Sequence, residues 1–133
     1  MIGFFGDIVF ETSDRRILTF QGLQRDSAAR WAKHDAIGRK PASEFLGPDL
    51  DTITFTVMLN GNYGVKPRDE MERWLIKSRT GEVETLVIGN RGLGVDRWKV
   101  LSVSQAWNVV MNRGELFSGQ VDITLEEYLG VLT

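Results

Sequence analysis

His34 followed by Asp35 is the one place in this chain where a base and a carboxylate stand together, and a general base oriented by an acid would be the chemistry they suggest. Both fall in a stretch that reads as a strand, where adjacent side chains point to opposite faces, so the two cannot form an oriented pair. His34 is also the single histidine, which excludes a histidine-rich metal site and leaves a hydrolase without support beyond one residue. The glycines at 89, 92 and 94 read G-x-x-G-x-G, which is not the dinucleotide order and does not sit between a strand and a helix. Glu126 and Glu127 are adjacent near the C-terminus, and the acids between Asp69 and Glu72 suit the first turn of a helix. No catalytic residue, cofactor-binding residue or metal ligand is expected. With no cysteine anywhere, a disulfide framework, a thiolate nucleophile and a cysteine-ligated metal are excluded together.

A different chemistry is written between Arg25 and Leu50, RDSAARWAKHDAIGRKPASEFLGPDL. In its first part, residues 25–40, Arg25, Arg30, Lys33, Arg39 and Lys40 against Asp26 and Asp35 leave a local excess of three positive charges, interleaved with Trp31 and His34. Such a segment could lie along a nucleic-acid backbone with Trp31 stacked on a base. It could equally grip another protein, because arginine and tryptophan dominate the energetic centres of protein contacts. The third reading is a solvated hairpin that tolerates charge. The residues alone leave all three open.

The elements that must position this segment follow from period and punctuation. Gly6 to Glu11 alternates, with Ile8 and Phe10 on one face, and reads as a first strand. Ser13, Asp14 and Arg15 turn the chain into a strand from Ile17, where Leu18 and Phe20 share a face and Gly22 marks a bulge. Two extended pieces, 28–35 and 40–46, flank AIGRKP and make a two-stranded arm within residues 25–50. Ile53, Phe55, Val57 and Leu59 then alternate with threonines in a half-buried antiparallel strand. Pro67 suits a first helical position and Gly81 a left-handed cap, which predicts one helix over about 67–80 with Met71, Trp74, Leu75 and Ser78 as its packing stripe. Short strands follow at 85–88 and 98–104, the latter with Leu101 and Val103 on one face, and 107–111 extends it. Asn112-Arg113-Gly114 closes a hairpin into a last strand with Phe117, Val121, Ile123 and Leu125 inward.

Strands, one helix, then strands, without a βαβ rhythm, predicts an α+β, mainly β fold: an antiparallel sandwich or partial barrel with the helix on one side and an extended β-ribbon arm. At 133 residues, 42% hydrophobic and 26% charged, the chain suits one cooperative domain over 1–133. Sixteen basic and eighteen acidic residues give −2, so there is no global field to draw nucleic acid or anionic lipid, and any electrostatic binding is local. The start MIGFFGDIVFE lacks a basic lead-in and a cleavage site, no stretch reaches transmembrane length, and the chain reads as folded in a cytoplasm.

The pieces GDIVFE, LTF, ARWAKH, IGRKP, EF at Glu44-Phe45, GP at Gly47-Pro48, LDTITF, PRDEME, LVIG, SVSQAW, Asn112-Arg113-Gly114 and TLEEY, in this order over nearly the whole chain, resemble the GpU tail-protein family of contractile-tailed bacteriophages. The GNRGLGVDRW loop around Asn90 departs from that resemblance. The resemblance implies a tail-tube-like fold and a non-enzymatic structural part of a phage tail or related contractile particle, made in a host bacterial cytoplasm and built into the virion. It implies a hexameric ring at the end of the tail tube, the baseplate-proximal initiator ahead of the head-proximal terminator. Its expected partners are further copies of itself, tube protein and baseplate hub proteins, with no membrane and no specific nucleic acid beyond a genome passing through the channel. On that model the ribbon holds a neighbour, through Arg30, Trp31, Lys33, His34, Arg39, Lys40 and Phe45. The rival of another class is a nucleic-acid-binding β-ribbon protein.

Overall fold

The computed structural model describes residues 2–12, 17–94, 97–111 and 114–130. The expected turns at Ser13 to Arg15 and at Asn112-Arg113 lie outside the described residues. The chain runs β1 (Gly3–Phe5), β2 (Ile8–Thr12), β3 (Ile17–Leu18), β4 (Phe20–Asp26), β5 (Ala29–Ala36), β6 (Arg39–Pro48), β7 (Thr52–Asn60), α1 (Pro67–Thr80), β8 (Val83–Glu84), β9 (Leu86–Ile88), β10 (Arg91–Gly92), β11 (Arg97–Val110) and β12 (Leu116–Tyr128). A larger sheet has the order β4-β7-β12-β11-β8 and a smaller one β10-β9-β1-β2-β3, while β5 and β6 pair only with each other. All pairings are antiparallel, as expected of a mainly β chain whose one helix does not serve as a crossover.

The strand carrying Ile53, Phe55, Val57 and Leu59 is β7, and all four side chains are buried. Its neighbour β12 buries Val121, Ile123 and Leu125 against it in unbroken register from Ser118↔Asn60 to Glu126↔Thr52. Helix α1 lies across β7, β12 and β11. Pro67 opens it and Gly81, at φ 69°, closes it, while Asp69 and Glu70 in the first turn and Lys77 and Arg79 in the last complement the macrodipole. The helix comes close to β12 at Gly119, where a Cβ would stand 2.6 Å from the Ala106 carbonyl oxygen and 2.7 Å from Met71 Cε; glycine there is what lets Met71 sink. Trp74, fully buried, stacks on Phe5 at 5.4 Å and on Phe10 at 6.3 Å and meets Phe55 edge-on at 5.8 Å. Phe10 and Phe55 both pack edge-on with Phe20. The core therefore lies between the larger sheet and a lid made of the helix and the smaller sheet.

Three expectations need correction. Gly6 does not begin a strand: with φ 59° it turns a two-residue hairpin in which Phe5 faces Ile8, so the N-terminal apolar run is a strand of its own. Leu101 does not share an inward face with Val103. A register shift between Val100 and Ser102 leaves Leu101 exposed, Trp98 and Val100 buried and Val103 packed against the core. Finally, the packing stripe of α1 holds Met71 and Trp74 as expected but is completed by buried Glu70 and Lys77, while Leu75 and Ser78 are only half-buried. The bulge expected at Gly22 is present, as a register shift between Gln21 and Gln24.

Lys77 explains its own burial. The residue is about 4% exposed, and its ammonium holds Asp7 Oδ1 at 2.9 Å, Glu82 Oε2 at 3.1 Å and Glu84 Oε1 at 3.2 Å. One cation thus ties the β1–β2 turn, the segment after the helix and β8 to the last turn of α1. Burial alone would lower the Lys77 pKa, but hydrogen bonds to the three carboxylates outweigh it and the value lies above its ordinary 10.5. The Lys77 hydrogen bond, opposed by burial, holds Asp7 below its ordinary 3.8. A depressed carboxylate stabilises the fold above its unfolded pKa and loses that contribution as pH falls through the folded value, and a raised lysine contributes below its unfolded pKa and loses that as pH rises through the folded one. Lys77→Met should cost about 1–3 kcal/mol at neutral pH, discounted from a fully buried pair because the carboxylates reach solvent. Urea unfolding followed against pH should show that deficit shrinking below about pH 4, where the wild type loses the Asp7 contribution too. An unchanged deficit at low pH would mean that packing rather than charge is what Lys77 supplies.

Candidate assembly arm

The arm's residues are placed by register. Trp31 pairs with Phe45 and Lys33 with Ser43, so these four share one face of the ribbon, whereas Arg30, Ala32 and His34 take the other with Ala42 and Glu44. Trp31 and Phe45 meet edge-to-face with centroids 5.1 Å apart, yet they remain 57% and 56% exposed. Two aromatic rings packed on one another and more than half exposed lie outside the core and add apolar surface to the ribbon. Every residue from 37 to 46 is exposed, so the ribbon stands clear of the body.

Of the seven residues expected at an interface, the structure joins Trp31 with Phe45 and sets Lys33 beside them. Arg30 and His34 point the opposite way, and Arg39 and Lys40 follow the tip. His34 lies 3.5 Å from Glu44 across the ribbon, both well exposed, and its sequence neighbour Asp35 belongs to the other face. Glu44 also reduces the charge excess: residues 29–48 hold four basic and two acidic side chains. Arg25 is not part of the paired ribbon but of β4.

Arg25 instead anchors the arm's root. Its Nε and Nη2 both donate to Asp51 Oδ2, at 2.9 and 2.7 Å, and its guanidinium lies over the Trp98 ring at 5.7 Å. The Asp51 amide donates to Glu127 Oε1 at 2.7 Å, the Glu127 amide donates back to the Asp51 carbonyl at 3.0 Å, and the Asp49 amide donates to the Ala28 carbonyl at 2.9 Å. Hydrogen bonds from Ser27 and then Arg25 hold the Asp51 carboxyl below its ordinary value. The ribbon therefore leaves the body from a fixed hinge point stitched to β12.

Reading the sequence missed three features. Ile37, at the tip beside Gly38 (φ 73°), is fully exposed at 103%; its signal was a β-branched apolar residue where turns favour Gly, Asn, Asp or Ser. Leu46 adds further exposed apolar surface on β6. At the far end of the molecule Trp107, Val109, Val110 and Met111 are also exposed, with Arg68 over the Trp107 ring at 5.4 Å. Their signal was the uncharged run from Val100 to Asn112. Beside them a cleft of about 470 Å³ is lined by Val65, Pro67, Asp69, Glu115, Leu116 and Phe117, among others.

Among the described residues no group of three or more His, Cys, Asp or Glu side chains could hold a metal ion, and no helix is long and apolar enough to cross a membrane. Gly89, Gly92 and Gly94 lie between β9 and β11, around the short β10, with no helix following. A family model described as Phage P2 GpU matches residues 6–130. No curated protein matches the chain.

Asp51→Asn should keep the core but loosen the root, because it gives up a charge-assisted bond to Arg25 worth about 1.5–3 kcal/mol. Faster hydrogen exchange of the Asp49 and Glu127 amides, with β7 and β12 centre amides unchanged, is the expected result. Uniform loss of protection would mean that the root is no separate unit.

Proposed function

The chain belongs to the Phage P2 GpU family, whose model covers all but its ends, and from that premise we propose that it is a non-enzymatic assembly protein that forms or joins a hexameric ring at the end of the tail tube. Membership makes it a phage tail-related structural protein. The observation that carries the ring reading is the arm, a ribbon of two strands paired only with each other that holds Trp31 and Phe45 out in water. A globular domain gains nothing from such a ribbon by itself, whereas a ring of identical subunits gains a contact repeated at every interface. Head-to-tail contacts of this kind close a ring when their rotation closes, and individually weak contacts then act together.

The baseplate-proximal end of the tube is our placement, with the head-proximal terminator as the alternative, and further copies of the chain, tube protein and hub proteins are the proposed neighbours. The virion is the proposed location. A protein contact is preferred over nucleic-acid binding because the arm's cations are divided between its two faces and diluted by Asp35 and Glu44, while its aromatic pair is concentrated on one face. The nucleic-acid reading requires salt-sensitive DNA binding lost in a Lys33→Glu, Arg39→Glu variant.

Trp31→Ala should leave the monomer folded by circular dichroism and weaken self-association or tail incorporation at least tenfold, the scale of an interfacial anchor. Phe55→Ala, in the aromatic core, should instead destabilise the monomer by about 3–5 kcal/mol. Mass measurement across a concentration series, alone and with tube protein, separates the two. Wild-type assembly by Trp31→Ala overturns the arm's role.

A further inference from the structure

The arm and the open cleft stand at opposite ends of the same strand. The arm's last strand, β6, leads directly into β7 at Thr52, and the cleft begins at Gly61, immediately after β7 ends at Asn60. Nine residues of extended chain separate them by roughly 30 Å, and the arm stands clear of the body, so the tip of a chain does not fill its own cleft. We propose that the Ile37 tip seats in the cleft of a second copy, with Arg39 and Lys40 against Asp69 and Glu115. This deepens the reading of the arm as an interface and rests on it.

Chemistry on both sides points to a second copy as the occupant. The tip offers a fully exposed isoleucine followed by two cations. The cleft offers apolar walls in Val65, Pro67, Leu116 and Phe117 and the carboxylates of Asp69 and Glu115. Of its own cations, Arg68 is drawn over the Trp107 ring, which leaves Lys66 as the other one lining the cleft. On the scale of the whole chain the arm is basic, four against two, and everything outside it is acidic, twelve basic against sixteen acidic residues, so an arm is attracted to a foreign body more than to a foreign arm. Burying the apolar tip and walls together removes both from water. Exposed Trp107, Val109, Val110 and Met111, at the same end as the cleft, offer apolar surface for the shaft behind the tip.

The geometry has a direction. A contact joining the start of β7 in one copy to the end of β7 in the next is heterologous, the head-to-tail kind that closes a ring when its rotation closes.

The absence of cysteine allows a direct test. Ile37→Cys and Glu115→Cys are both surface changes; purified separately, checked for folding and mixed under oxidising conditions, they should give a disulfide-linked dimer in the mixture, and the double variant should give longer covalent chains. Glu115→Lys should weaken self-association roughly tenfold, and Arg39→Glu on the other copy should restore it. A mixture that yields no Ile37–Glu115 product, or in which Ile37→Cys links only to itself, overturns the inference. If Trp31→Ala abolishes assembly while that product never forms, the arm remains an interface and only its acceptor is wrong. If Trp31→Ala assembles like the wild type, the arm reading falls and this inference falls with it.

Discussion

The fold depends on Trp74. It brings the helix, the small sheet and the large sheet into ring-to-ring contact, stacked on Phe5 and Phe10 and edge-on to Phe55. Rings of this size bury a large area each and prefer these offset and edge-on geometries, so the position of one fixes the others. The N-terminal hairpin is too short to be stable alone, with β1 and β2 only three and five residues long. It persists because Phe5 and Phe10 are held beneath the helix and because Lys77 clamps Asp7 in its turn. Apolar packing at Trp74 and a buried cation about one turn on at Lys77 thus hold the lid down.

Because that core is complete without residues 29–48, the arm carries no share of it. This division of labour accounts for composition. The body needs alternation and gets it in β7 and β12; the ribbon has aromatic, basic and small residues with no buried face to satisfy. Its shape is set from the root, where Arg25, Asp51 and Glu127 join β4, the entry to β7 and β12. A ribbon rigid at its base and bare at its tip loses less freedom on docking than a flexible loop would, and that preorganisation favours binding.

What the sequence made legible was whatever is periodic or punctuated. The threonine alternation of β7, proline and glycine at the two ends of α1, and glycine and proline around the ribbon's turn each impose a local geometry that later packing did not override. The misreadings have physical causes of the opposite kind. Leu101 left its expected face because one extra residue in a strand inverts everything beyond it. The run before Gly6 carries no alternation, since Phe4 is half-buried beside fully buried Phe5. Lys77 is legible as a last-turn cation but not as a buried one, because its three acids come from segments that only the tertiary fold brings together. At the arm the charged and aromatic residues were evident, while the division of the ribbon into two faces, and Ile37 as its outermost apolar point, required the register.

The arm and the far end of β11 handle exposed strands differently, and the contrast explains how each can be used. A strand edge with free amides and carbonyls invites pairing, and proteins blunt such edges with prolines, charges and bulges. The arm has all three: Pro41 and Pro48 on β6, charges on both strands, and two register shifts. Its edges are therefore poor templates for another strand, which leaves its aromatic face and its tip as its exposed apolar surface. Beyond Trp98 and Lys99, which pair with β8, the outer edge of β11 has no described strand beside it, and from Val100 to Val110 it carries no charge and no proline. Only register shifts interrupt it. A chain destined to remain alone in water would be expected to protect that edge as it protects the arm; one that is covered in an assembly has no such need.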